Sequence, residues 1–419
     1  MKILHISYAD SKGGAAIATR RIHTALLKKG IDSKILCVNK DPSSKNSITA
    51  FSPIHKKFIG LVNRIIWNLL HRVFRVKNLH SLNLIPTGLH QKINSTDADI
   101  INLHWINGEM ISIKEIAKIT KPIVWTFHDL WPILGSHHYP DIDDRRYITG
   151  YPKKIQRDLD AIMWNRKVKA WQKFNPTIIC VGNWLGDCVS QSFLFKNCTI
   201  KVIPNTLNLN RFLPRNKEEV RTLFGLPKDK KLLLFGAIGG TKDQRKGFDL
   251  LINALLELHK KNTDLELVVF GEETPENALD LPFKIYYLGR IQDEEILAKA
   301  YASADLMCVP SRQETFGQTA AESMACGIPV VAFNSTGLKD IVDHKKNGYL
   351  ATPFDVKDLA NGIDWILTQL NKNNKADYKT LCLNARDKVV RSFSEEIVAE
   401  KYTNLYTQLL LGKNENCCI

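Results

Sequence analysis

The stretch Pro310-Ser-Arg-Gln-Glu314-Thr-Phe-Gly317-Gln-Thr-Ala-Ala-Glu322-Ser-Met-Ala-Cys-Gly327-Ile-Pro329 decides how the chain is read. An apolar run from Asp305 to Val309 stops at Pro310, and a polar loop carrying Glu314 follows. Good helix formers then run from about Gly317 until Gly327 and Pro329, which end a helix. With the next apolar run, Ile328 to Phe333, this is a strand, a loop, a helix and a second strand. The amides of Thr315, Phe316 and Gly317 then stand at a helix N-terminus, where the peptide dipoles favour an anion such as phosphate. Glu314 lies in the loop and Glu322 inside the helix, so both carboxylates can accept hydrogen bonds from the hydroxyls of one elongated ligand. The alternative is a helix cap beside a surface glutamate.

The same pattern recurs on both sides. Short β-branched runs occupy Lys2 to Ser7, Ser33 to Val38, Ile100 to His104, Ile123 to Phe127, Thr177 to Val181 and Ile200 to Ile203. They resume at Lys231 to Phe235, Leu265 to Phe270 and Ile285 to Leu288. Continuous apolar runs bounded by Gly or Pro, with helical patterns between them, are the mark of buried parallel strands joined by crossovers. The fold class is therefore α/β, with two doubly wound, Rossmann-like domains in tandem, 1–205 and 206–393. A helix and tail, 394–419, would return to the first domain. The linker is placed at Pro204-Asn205-Thr206 and the polar stretch to Glu219, and a ligand is expected between the domains at the carboxyl ends of strands.

Three further segments carry chemistry. Phe235-Gly236-Ala-Ile-Gly239-Gly240 lets backbone approach a ligand, and Arg245-Lys246-Gly247 after it offers a guanidinium fork and a point charge to a diphosphate. The other reading is a solvated basic turn. Gly13-Gly14 follows the first strand and opens a helix, without the full dinucleotide fingerprint or the Lys-Ser/Thr of a P-loop. His128-Asp129, in Trp125-Thr-Phe-His-Asp-Leu-Trp131-Pro132, ends another strand; His128 can meet a sugar hydroxyl or phosphate, with Asp129 orienting it or holding an acceptor, or the two form a structural pair. His137-His138 followed by Asp141, Asp143 and Asp144 has the residue types of a metal site but matches no ligand spacing, and reads as a polar loop.

Composition narrows the class. The 419 residues are enough for two or three domains, and 44% hydrophobic with 24% charged residues excludes disorder and fibres. Net charge is +15, and all of the excess precedes Asn205: 30 basic against 14 acidic residues there, 28 against 29 after it. That half is expected to meet something anionic. Nine cysteines, with no C-x-x-C pair, suit a reducing, cytoplasmic compartment; no apolar run is long enough to span a membrane, and the N-terminus reads as a strand rather than a signal peptide.

Taken together, these segments resemble glycosyltransferase family 4, whose members are retaining enzymes of the GT-B fold using nucleotide-diphosphate sugars. The resemblance is carried by Gly13-Gly14, His128-Asp129, Pro204-Asn205, Arg245-Lys246-Gly247, Gly271-Glu272, Leu288-Gly289 and above all the pair Glu314 and Glu322 with Gly317 and Gly327-Ile-Pro-Val-Val. His128-Asp129-Leu-Trp-Pro through His138-Tyr139-Pro140 looks like the branch that includes colanic acid, capsule and lipopolysaccharide transferases. The resemblance implies that Arg245 and Lys246 neutralise the leaving diphosphate, helped by amides near Phe316 and Gly317. It implies that Glu314 holds donor-sugar hydroxyls, Glu322 the ribose, His128 the transferring sugar and Gly14 the phosphate side, with Gly236 in the donor loop and Gly289 and Arg290 near the base. It also implies that domain 1–205 is the acceptor side, with Gly13 and Asp129 there, and that 206–393 binds the donor. It further implies a UDP- or GDP-sugar as substrate and no metal or other cofactor.

His55 to Lys77 holds six Lys or Arg, no acid, and apolar residues at near-helical spacing. A basic amphipathic helix there either lies in the headgroup region of an anionic membrane, bringing the protein to a lipid-linked glycan acceptor, or packs its apolar side on the first domain. Competing readings are a sugar-nucleotide epimerase or a glycoside phosphorylase of the same architecture, and a basic non-enzymatic protein binding membrane or nucleic acid. Against nucleic acid stand the absence of a known module with interleaved aromatics and the repulsion of a phosphate backbone by Glu314 and Glu322.

Overall fold

A computed structural model gives the fold and describes residues 1–70, 72, 79–141, 143–151, 158–237, 239–260, 264–275, 280–370 and 375–416. The chain divides into two compact units, Met1–Thr206 with Glu396–Ile419, and Leu207–Glu395.

The first unit is built on seven parallel strands: β1 (Lys2–Ala9), β2 (Asp32–Asn39), β3 (Ser47–Thr49), β4 (Ile100–Leu103), β5 (Ile123–Phe127), β6 (Thr177–Cys180) and β7 (Ile200–Val202). Their order across the sheet is β3-β2-β1-β4-β5-β6-β7, so the direction of winding reverses between β1 and β4. Both faces are covered, which is why the strands read as mostly apolar runs: all four residues of β4 and all four of β6 are buried. The last helix, Glu395–Asn416, contributes Val398, Ala399, Tyr402, Leu405 and Tyr406 to the core formed by Ile3, Ile22, Ile100, Val124 and Ile179. Tyr406 accepts a 2.7 Å hydrogen bond from Asn102, so the helix is keyed to β4 by a polar contact as well as by burial.

The second unit holds six parallel strands: β8 (Lys231–Gly236), β9 (Leu265–Phe270), β10 (Ile285–Tyr287), β11 (Leu306–Val309), β12 (Val330–Phe333) and β13 (Gly348–Ala351). Their order is β10-β9-β8-β11-β12-β13, with the switch between β8 and β11. In such sheets the loops at the carboxyl ends of the switch strands splay apart and leave room for a ligand.

The edge strands β3 and β13 are not among the runs expected from sequence; they are three and four residues long and only partly buried. The polar stretch assigned to the linker, which ends at Glu219, already includes the start of a helix, Lys217–Leu223, capped by the Asn216 side chain. The helix expected from about Gly317 starts at Gln318 and ends at Ala325. The basic helix runs Pro53–Leu69; Arg75, Lys77 and the other residues of 73–78 lie outside the described residues.

Candidate functional site

In the second unit, the loops after β8 and β11 are stitched together backbone to backbone. Arg312 N donates to Arg245 O at 2.8 Å, and Gly247, with φ of 71°, sits so close that a Cβ there would fall 2.0 Å from Pro310 O. Only glycine meets both conditions. The stitching is reinforced by Arg312, whose guanidinium grips the Asp249 carboxylate at 2.9 and 2.7 Å.

The result is that Lys246 and Glu314, 68 residues apart, form an ion pair at 2.6 Å. Their side chains are 19% and 12% exposed, enough to reach a ligand but sheltered from bulk screening. Ser311 donates to the same Glu314 oxygen at 3.0 Å, and Thr336, after β12, accepts from the Glu314 amide at 3.0 Å. Burial pushes the Glu314 carboxyl up, but Lys246 and Arg245 outweigh it, and the net shift is below the ordinary glutamate range. Arg245 is pinned by Asp243, which also caps the turn holding both cations.

Glu322 is buried and accepts from the Tyr301 hydroxyl at 2.8 Å; the reading of it as a surface residue is wrong. Its helix has Gly317 as N-cap, with no side-chain cap bond, while the Arg386 guanidinium closes the other end on Ala325 O at 2.6 Å. Phe316 is buried edge-on against Phe393, and Thr315 is buried beside it. Gly236 is required by packing: a Cβ there would meet the Phe270 ring at 2.1 Å. Gly289 has φ of 65° and its amide chain continues into Arg290, whose N donates to Glu273 at 3.3 Å; Gly271 N donates to Gly289 O at 2.8 Å. Gly236 ends β8, Arg245 and Lys246 lie in the loop after it, Gly271 follows β9, Gly289 and Arg290 follow β10, and Glu314 to Gly317 follow β11, while Glu322 lies one turn into the helix.

In the first unit, Gly13 and Gly14 follow β1; Gly13 has φ of 98°, and a Cβ on either would meet nothing within 4 Å, so backbone is open to approach there. His128 follows β5 and is partly buried. Its Nε2 lies 3.0 Å from His104 Nδ1. Burial lowers the His128 pKa to about 4, against the opposing pull of Asp129, so the ring is neutral at pH 7.

Asp129 is bound up in its own loop. Its carboxylate is buried and accepts from His138 Nδ1 at 2.6 Å, Trp105 Nε1 at 3.0 Å and Trp131 N at 3.0 Å. It anchors the loop on which His128 sits. His138 in turn contacts Ser81 Oγ at 2.9 Å and stacks between Trp105 and Trp131. Sequence reasoning missed the deepest part of this anchor: Lys167, wholly buried, donates to Trp131 O, to Leu134 O at 2.9 Å and to Gly135 O at 2.8 Å, with its ammonium 3.7 Å from the Trp131 ring centroid. Nothing in the local pattern of its helix distinguishes it from the exposed lysines nearby. His137 Nδ1 lies 2.8 Å from Asp160 and Asp144 is gripped by Arg146, and among the described residues no group of three or more His, Cys, Asp or Glu is arranged to hold a metal ion.

Residues 12–211 match the model of Glycosyltransferase Family 4, and residues 216–380 match that of Glycosyl transferases group 1. The chain belongs to glycosyltransferase family 4. D-inositol 3-phosphate glycosyltransferase of Saccharomonospora viridis is 31% identical over 285 residues, 63% of this chain and 61% of that protein. The chain spans about half the length of the first curated relatives it matches. Sucrose-phosphate synthase from Thermosynechococcus elongatus superposes with a TM-score of 0.66 at 21% identity, covering 98% of this chain and 100% of that one. Anabaena Alr3699/HepE in complex with UDP-glucose gives 0.65 at 18% identity, covering 97% and 100%. At these identities the likeness speaks to the fold, and the fold of this family 4 chain is GT-B.

Proposed function

We propose that the protein is a retaining glycosyltransferase that moves a sugar from a nucleoside-diphosphate sugar to a lipid-linked saccharide during synthesis of a cell-surface polysaccharide or lipopolysaccharide. The observation that carries this reading is the Lys246–Glu314 pair, half-sheltered beside Arg245 at the carboxyl ends of β8 and β11. Without donor, each charge compensates the other. With donor, Lys246 and Arg245 turn to the diphosphate, where fixed positive charge stabilises the departing phosphate oxygen, and Glu314 is released to accept from sugar hydroxyls. Glu322, steadied by Tyr301, takes the ribose hydroxyls, Gly289 and Arg290 flank the base, and Gly14 and His128 attend the phosphate and the transferred sugar. Alr3699/HepE was solved with UDP-glucose, which supports taking uridine donors first and guanosine donors second.

Peripheral attachment to an anionic membrane belongs to the same reading. On the helix Pro53–Leu69, Ile54, Phe58, Leu61, Ile65 and Leu69 recur along one face and are all exposed, Ile54 by 82%, while Ile59 is the buried residue of the helix. Lys56, Lys57 and Arg64 are exposed on the same helix, a combination suited to the headgroup region. Among the described residues no helix is long and apolar enough to cross a membrane.

The test is product analysis. The protein is incubated with UDP- and GDP-sugars and a lipid-linked saccharide extract, and the new linkage is read by NMR. The reading expects an α-linked product from an α-linked donor, and Glu314→Ala to lower turnover by about a hundredfold or more with the circular dichroism unchanged. A β-linked product contradicts retention, and near-normal turnover of the variant contradicts the role of Glu314.

A further inference from the structure

Three imidazoles of the first unit form a continuous chain. His5, within β1, has Nδ1 2.8 Å from Nε2 of His104, the residue after β4. His104 has Nδ1 3.0 Å from Nε2 of His128, the residue after β5, and these two rings stack at 5.3 Å. His5 and His104 are buried, and His128 is the partly exposed end. At the inner end, His5 Nε2 has no hydrogen-bond partner among the described residues, and His23 stands edge-on with ring centroids 6.1 Å apart. Burial holds all three rings neutral at pH 7 by pushing their pKa values down.

A neutral imidazole has one N–H donor and one acceptor nitrogen. Two successive hydrogen bonds among three such rings therefore admit two arrangements. Either every ring carries its proton on Nδ1 and donation runs from His5 to His104 to His128, or every ring carries it on Nε2 and donation runs the other way. A mixed set would put two protons, or two lone pairs, into a gap of 2.8 or 3.0 Å.

We propose that His5 and His104 are positioning residues that couple their own protonation patterns to that of His128, so that His128 Nδ1 meets its ligand in one defined role. In the first arrangement Nδ1 is a donor; in the second it is an acceptor. A hydroxyl of the transferred sugar can satisfy either, but it is oriented differently by each, and a histidine exchanging freely between the two would orient it poorly. That the ligand is the transferred sugar rests on the proposed function; the coupling does not.

The experiment uses the full chain without ligand, labelled with 15N-histidine at pH 7.5. Long-range 15N–1H correlation spectra show which ring nitrogen carries the proton, and single His→Phe variants assign the signals. The expected result is one shared pattern, all three rings protonated on Nδ1 or all three on Nε2. In His104→Phe, the His128 signals move toward the average of the two tautomers, and kcat/KM for the donor falls by about tenfold, the worth of one ordinary hydrogen bond, while UDP affinity stays unchanged. Unlike tautomers in the wild type, or a His128 signal unmoved in His104→Phe, would overturn the proposal. Should His104→Phe not fold, the wild-type spectrum alone decides. Loss of the transferase reading would show in the turnover assay and leave the spectrum as expected, so the two failures are distinguishable.

Discussion

Gly247 shows how much of the candidate donor site depends on single residues. It combines a left-handed φ of 71° with a 2.0 Å approach of any Cβ to Pro310 O, so Gly247→Ala must push apart the two loops that bring Lys246 to Glu314. The φ alone costs about 1–3 kcal/mol. The expected outcome in urea denaturation is a loss of at least that much, together with weaker nucleotide binding; a variant as stable as the wild type would show that the loops are not locked together. Arg245-Lys246 and Glu314 were visible in the sequence because an adjacent pair of cations and a loop carboxylate are unusual at strand ends. Their mutual pairing was not, since it depends on β8 and β11 being neighbours in the sheet. The partners Tyr301, Thr336 and Ser311 escaped for the same reason: each is an ordinary residue in its own segment and gains meaning from what folds beside it.

At the scale of elements, the strand runs were readable because burial on both faces leaves β11 and β12 wholly apolar and admits a single polar residue to each of β4 and β6, Asn102 and Thr177. The short edge strands β3 and β13 lack that signature and went unseen. The loop after β5 teaches a similar lesson. His128 and Asp129 stand out in the sequence, yet Asp129 serves the loop itself, and the loop is held by Lys167 from the helix Leu159–Ala170. Lys167→Met keeps the apolar stem but leaves three buried carbonyls without their donor, each at a cost of about 1–3 kcal/mol. A loss of at least about 3 kcal/mol in stability is expected; a fully stable variant would show that the carbonyls find other donors. The helix Pro53–Leu69 left two readings open in the sequence, and its exposed apolar face favours the membrane one. Wild type is expected to float with vesicles containing anionic lipid and to stay in the pellet fraction with neutral ones, while Lys56→Glu, Lys57→Glu and Arg64→Glu together abolish flotation. Unchanged flotation of the triple variant would remove the electrostatic part of the account.

For the whole molecule, the buried histidines set a pH response. Burial holds His23 and His128 to about 4, below the ordinary 6.5 that they regain on unfolding. Between these values the unfolded chain binds more protons than the folded one, so stability is full above pH 6.5 and declines as pH falls toward about 4. The melting temperature is expected to drop steadily across that window, and less steeply in His23→Gln; a flat profile would mean that the rings are already charged in the fold. The charge asymmetry of the chain also acts at this scale. The basic excess belongs to residues before Asn205, whereas the paired cations assigned to the diphosphate lie in the second unit, so net charge and donor chemistry have separate origins. The succession of α/β strands and the loops of the candidate site are legible in the sequence; which of those loops lie side by side depends on the strand order of the folded sheet.

The central claim is that the second unit binds a nucleoside diphosphate through Arg245 and Lys246. Isothermal titration of UDP, GDP and ADP into the wild type and into Arg245→Ala tests it without any knowledge of the acceptor. The account predicts that one nucleotide binds clearly more tightly than the others and that Arg245→Ala weakens it by about tenfold or more, as expected for loss of a charged hydrogen-bonding partner. No binding of any of the three, or binding untouched by the substitution, would contradict it.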